Sequence, residues 1–323
     1  MREIRHIVDE SGMKCSVEAI NHDIDEFLER LDIARERGER VARSCYDIYD
    51  AIIIDQRNLY DLLYDDEERM ILDHDRRQRL RVAFDRMYIW DDNDTLLALI
   101  SDCTVTLNHE RVDSPSLALA HACRQRRHAV GCLNLTSSGR SGPINVRVGD
   151  TEHTLHFITD EPSHVQLFRY AVEIENMSES AFQSNAVSAF PDLRWADGVW
   201  GGLRDFSRPY VDCRASLVLH LGVLNDFAAE FFHRLSATHP EQISGNFGSH
   251  GVVATDENGT TKRNNKAREA RTRRVGGESC IFWWHTKLHA VRDRIHFMWR
   301  EDDHSPPGEI VVGIFTQHCY LPG

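Results

Sequence analysis

Three β-type runs crowd into the last forty-odd residues, and they restrict the fold more than any other feature of the chain. Residues 281–288 and 294–300 are rich in aromatic and apolar side chains, and 309–316 is β-branched. Such runs bounded by turn residues read as strands. Asp302-Asp303-His304-Ser305-Pro306-Pro307-Gly308 makes a turn between the second and third. The expectation is a small antiparallel terminal sheet in which Arg294 and His318 sit on neighbouring strands. Side chains alternate faces along a strand, so His285 shares a face with Lys287, and Arg294 with His296. His289, Arg292, His318 and Tyr320 add further cations and proton carriers to a segment that also reads as core.

Upstream the texture differs. Residues 17–40 carry apolar side chains at three- and four-residue steps, and 41–64 and 67–90 are read as two further amphipathic helices. Residues 95–100 and 130–135 are short apolar runs with a helix-like 114–123 between them. Thr136 to Pro143 reads as a linker. Residues 145–158 alternate around Gly149-Asp150, a hairpin signal. Helices are expected over 162–175, 178–189 and 214–236. The reading is an α+β chain: a helical domain at 1–93, a mixed α/β domain at 94–240, a basic flexible loop at 241–277 and a sheet at 278–323.

Charge is unevenly placed within a net −13. Residues 1–100 hold 25 acids against 15 bases, whereas 251–323 hold 9 against 11. Within the expected loop, residues 262–274 hold Lys262, Arg263, Lys266, Arg268, Arg271, Arg273 and Arg274 against a single acid, Glu269. Clustered bases gain affinity for nucleic acid by releasing its counterions, so this segment is the expected RNA contact. The acidic front repels a polyanion and suits a protein partner instead.

The terminal motif His285-Thr-Lys287-Leu, then Arg294-Ile-His-Phe-Met-Trp-Arg300, an acidic turn, Glu309-Ile-Val-Val-Gly-Ile-Phe and His318-Cys-Tyr320 resembles the RelE/ParE/HigB toxin superfamily. The remainder is similar to uncharacterised bacterial proteins. The resemblance covers about residues 281–323 and implies a RelE-like sheet. In its ribonuclease members the site combines a Lys or His on one strand, an Arg on the middle strand and a terminal His or Tyr. Carried over, these are His285 or Lys287, Arg294, and His318 or Tyr320. The family usually ends its last strand on a basic residue, where this chain has Thr316 and Gln317.

Metal-free RNA cleavage needs a base for the 2′-hydroxyl, an acid for the leaving 5′-oxygen and a cation for the phosphorane, and the segment supplies all three. His285 and His289 lack the Glu of HExxH, and there is no Walker A, GxGxxG or GxSxG loop, so no metal or cofactor is expected. Eight scattered cysteines without a CxxC pair suit reduced thiols in the cytoplasm. The N-terminus lacks an apolar core behind its charges and no long apolar run exists, so neither a secretory signal nor a membrane span is expected. The expected function is a toxin-like, metal-independent endoribonuclease acting on RNA, on or off the ribosome, in growth arrest or phage defence. The acidic N-terminal region would meet an antitoxin or other partner. The rivals are a non-catalytic interaction protein and a metal-dependent DNA nuclease.

Overall fold

The computed structural model describes residues 4–37, 42–65, 71–89, 104–174, 178–235, 239–289, 292–301 and 308–319. The chain is mixed α+β and divides into two compact units, Met1–Glu175 and Asn176–Gly323.

The first unit is built on one eight-stranded sheet. Its strands are β1 Arg5–Val8, β2 Arg43–Ser44, β5 Tyr88–Ile89, β6 Val105–Leu107, β7 Glu110–Val112, β8 Val130–Leu133, β9 Gly142–Val148 and β10 Thr151–Ile158. Two short strands, β3 Ile52–Ile54 and β4 Arg57–Asn58, pair separately. The sheet order is β5-β2-β1-β8-β10-β9-β6-β7, parallel from β5 to β10 and antiparallel beyond. Its helices are α1 Ile20–Arg37, α2 Leu59–Tyr64, α3 His74–Asp85, α4 Pro115–Gln125 and α5 Glu161–Ile174. Residues from α4 join Ile7, Cys132, Leu155 and Phe157 in one core. On the other face a Cβ on Gly131 would lie 2.5 Å from Ile158 and 2.6 Å from Leu167, so glycine lets α5 close on β8.

Residues 1–93 are therefore not a helical domain. The 17–40 and 67–90 helices appear as α1 and the shorter α3, but 41–64 holds three short strands before α2. Strands of two or three residues are too short to display an alternating pattern. The 145–158 hairpin is present as β9–β10. Thr136–Ser138 is a 3₁₀ turn inside the unit, so 136–143 links strands and not domains.

The second unit carries α6 Glu179–Ala189, β11 Leu193–Trp195, α7 Tyr210–Val223, α8 Ala229–Leu235, α9 Pro240–Ser249, β12 Ala254–Thr255, α10 Gly259–Arg263, α11 Asn265–Ala270, β13 Thr272–Val275, β14 Glu278–Ile281, β15 Trp284–Lys287, β16 Arg294–Arg300 and β17 Glu309–Thr316. Its five-stranded sheet runs β11-β17-β16-β15-β12, with β11 parallel to β17 and the other pairs antiparallel. Phe232 and Phe247 pack on Trp284 and Phe297 from one face. Helix α7, a π-turn and α8 make one run, Tyr210–Leu235, which among the described residues is the helix long and apolar enough by composition to cross a membrane. Its Leu217, Leu221 and Phe232 belong to the core of this unit.

The 241–277 segment is not a flexible loop. It forms α9, β12, α10, α11 and the β13–β14 hairpin up to the turn at Gly276-Gly277. Asn258 and Asn264 cap α10 and α11 by accepting from the amides of Thr261 and Ala267.

Candidate functional site

Strand pairing assembles the site. His285 lies opposite His296 and Lys287 opposite Arg294 across β15–β16, and Arg294 lies opposite Thr316 across β16–β17. The intervening positions Trp284, Thr286, Ile295 and Phe297 are buried on the other face. Four polar side chains thus form a two-by-two patch, with the His285 and His296 rings 5.0 Å apart. The patch floors a cleft of about 270 Å³, also lined by Thr255, Glu257, Arg271, His318 and Cys319. Arg294 and His318 both line it, but His318 lies two residues beyond the end of β17 and not on a neighbouring strand as expected. Tyr320 lies outside the described residues, as does most of the Asp302–Gly308 turn.

Two residues reach the site from the segment before the strands. Arg271, 1% exposed, donates from Nε and Nη2 to Glu257 Oε1 at 3.0 and 2.7 Å. Its Nη1 donates to the Ala267 carbonyl at 3.1 Å. The amide of Phe282 donates to the Arg271 carbonyl at 2.9 Å, and the Phe282 carbonyl accepts from His296 Nδ1 at 3.2 Å. A carbonyl accepts and cannot donate, so Nδ1 carries the proton of neutral His296 and Nε2 is its lone-pair nitrogen.

His285 Nε2 meets Thr255 Oγ1 at 3.2 Å. Its Nδ1 is buried without a hydrogen-bond partner, 3.6 Å from Glu257 Oε1. Burial foremost, then Arg294, Lys287, Arg271 and His318, push the His285 pKa down to about 3. Burial, with His285 and Arg271 beside it, holds His296 well below the ordinary histidine range. Both rings are neutral at pH 7. Arg294 Nη1 donates to the carbonyls of His289 and Arg292 at 3.0 and 2.8 Å, which fixes the guanidinium on the patch. Burial lowers the Arg294 pKa as well.

The seven bases expected as one surface are divided. Arg271 is inside the site, Lys262 pairs with Asp256 at 2.6 Å, and Arg273 spends Nη1 on the carbonyls of Ala270 and Thr272. Arg263, Lys266, Arg268 and Arg274 are exposed. Glu257 carries no expectation and Arg271 is expected only as an RNA contact, because both lie outside the terminal motif and folding alone brings them in. His296 carried its own signal, since it alternates with Arg294.

Glu257, His285 and His296 each offer a ligand atom within 4.8 Å of the others. A divalent ion there would have to share the Glu257 carboxylate with the two donors of Arg271.

The first unit holds a second buried polar centre at the C-terminal end of β1. Asp9 accepts from the amide and hydroxyl of Ser11, the Ser114 hydroxyl, Asn134 Nδ2 and Arg140 Nη1. A carboxylate has about four lone-pair positions. Five internal donors saturate it and its charge is balanced by Arg140, so it serves to join β1, α4 and β8.

No family model, curated protein or solved structure matches the chain.

Proposed function

We propose that the second unit is a metal-independent endoribonuclease of the toxin type, cutting RNA at the β15–β16 cleft. The observation that carries the reading is the convergence of two neutral histidines with Lys287, Arg294, His318 and the Glu257–Arg271 pair on one cleft. The resemblance to RelE-like toxins agrees, because β16 is flanked by β15 and β17 and the latter leads to His318.

In this reading His285, neutral at pH 7, exchanges its Nε2 contact with Thr255 Oγ1 for the 2′-hydroxyl and accepts its proton there. The attacking 2′-oxygen and departing 5′-oxygen leave a 2′,3′-cyclic phosphate and a 5′-hydroxyl. Arg294 and Lys287 bind the phosphorane oxygens, whose charge they stabilise more in the transition state than in the ground state. His318, exposed at the rim, gives the proton to the 5′-oxygen. A bound phosphodiester opposes the cationic part of the His285 depression, while burial, its larger cause, still disfavours the charged ring. Substrate entry over exposed Lys266, Arg268 and Arg274, a protein partner or antitoxin at the acidic residues 1–100, and action in the cytoplasm in growth arrest or defence complete the reading.

The metal-dependent rival has the Glu257–His285–His296 set in its favour. One kinetic series in excess EDTA separates the two. His318→Ala should lower the single-turnover rate about 10²–10⁴-fold and Arg294→Ala about 10²–10³-fold, with circular dichroism unchanged. Mutants near wild type, with activity restored by Mg²⁺ alone, would transfer the site to the metal reading.

A further inference from the structure

A second cleft of about 450 Å³ opens beside the first and shares His318 and Cys319 with it. Asp205, Arg273, Gly202 and Thr316 are among its other lining residues. Its frame is fixed. The Gln317 amide donates to the Asp205 carbonyl at 3.1 Å, which ties Asp205 to the segment carrying His318. A Cβ on Gly202 would sit 2.1 Å from the Phe315 carbonyl oxygen, so that wall lies directly on β17. Arg273 is held by two carbonyls. Asp205, an exposed residue whose backbone is fixed, thus lines this cleft together with the proposed proton donor His318.

Resting on the nuclease reading, we infer that this cleft is the base subsite next to the scissile phosphate and that Asp205 selects guanine. A carboxylate offers two parallel acceptors. Guanine alone among the RNA bases presents two adjacent donors, N1–H and N2–H, on its Watson–Crick edge. Adenine and cytosine pair one donor with an acceptor there, and uracil flanks its single donor with two acceptors, so each brings a lone pair against the carboxylate. Unpaired RNA exposes this edge for such contacts.

The test is cleavage-site mapping on a randomised single-stranded RNA pool with the full chain, comparing wild type with Asp205→Asn and Asp205→Glu. Wild type should favour phosphates flanked by guanine by on the order of tenfold to a hundredfold, the worth of one bidentate base contact. Asp205→Asn should remove the preference by lowering guanine-site cleavage, and Asp205→Glu should keep part of it, with all three proteins melting at the same temperature. A wild type that cuts without base preference, or an Asp205→Asn protein that keeps the preference, overturns the subsite and leaves the nuclease reading standing. A wild type that cuts no RNA overturns both.

Discussion

Arg271 and the bases around it show how one residue type serves two purposes within a few positions. Removing one partner of a buried pair strands the other charge, at a cost of about 3–5 kcal/mol. Arg271→Ala should therefore lower unfolding free energy by about that amount, read by urea denaturation. Replacing exposed Lys266, Arg268 and Arg274 with Gln should cost less than about 0.5 kcal/mol each. The same triple change should flatten the log–log salt dependence of RNA binding by up to about 2 units, at roughly 0.7 per phosphate contact. An unchanged slope would assign those bases to solvent alone. The sequence makes His285, Lys287, Arg294 and His296 legible as a patch, because a two-residue period needs no knowledge of the tertiary fold. Arg271 and Glu257 were not legible as a pair. Fourteen positions separate them, and a buried guanidinium looks in sequence like any other base of its cluster.

Among the elements, the bulge in β16–β17 positions the chemistry. The pairing steps from His296–Ile314 to Phe297–Val312 and passes over Gly313. The Phe282 ring fills the space above it, so a Cβ on Gly313 would fall 2.4 Å from that ring. Phe282 in turn holds Arg271 through its amide and His296 through its carbonyl. Gly313→Ala should cost about 1–3 kcal/mol by overpacking and shift the His296 imidazole resonances. Adding Phe282→Leu should recover much of the stability, and a fully stable Gly313→Ala protein would remove the bulge from the account. The short elements explain why 241–277 read as loop. Helices of five and six residues cannot display a periodic apolar face, and their legible signals were the caps Asn258 and Asn264.

For the whole molecule, both units bury neutral histidines. His6 and His164 meet through Nε2 at 3.2 Å, with burial foremost lowering them to about 3 and about 2. His156, His121 and His220 are lowered to about 4, again chiefly by burial. The unfolded chain protonates these rings below about 6.5, whereas the folded chain resists until pH 4 to 2. The unfolded state thus binds more protons across that window, and stability falls as pH falls from about 6.5. The thermal midpoint should drop steadily between pH 7 and 4, and His6→Gln should lessen the drop. A flat profile would mean that these rings titrate in the folded protein. The same burial hid the architecture of the first unit. The expected class, α+β, is present and β8 falls in the 130–135 apolar run, but β1 is a central strand of four residues, too short and too buried to announce a sheet.

The central claim, RNA cleavage from the 2′-hydroxyl without metal, is tested most directly on a pair of oligonucleotides. One is all RNA, and the other carries a single 2′-deoxy substitution at the mapped cleavage position. Both are incubated with the purified full chain in excess EDTA and the products analysed by mass. The account predicts a 2′,3′-cyclic phosphate and a 5′-hydroxyl from the first and no cut at that position in the second. Equal cutting of both, or cutting that requires Mg²⁺, would contradict it.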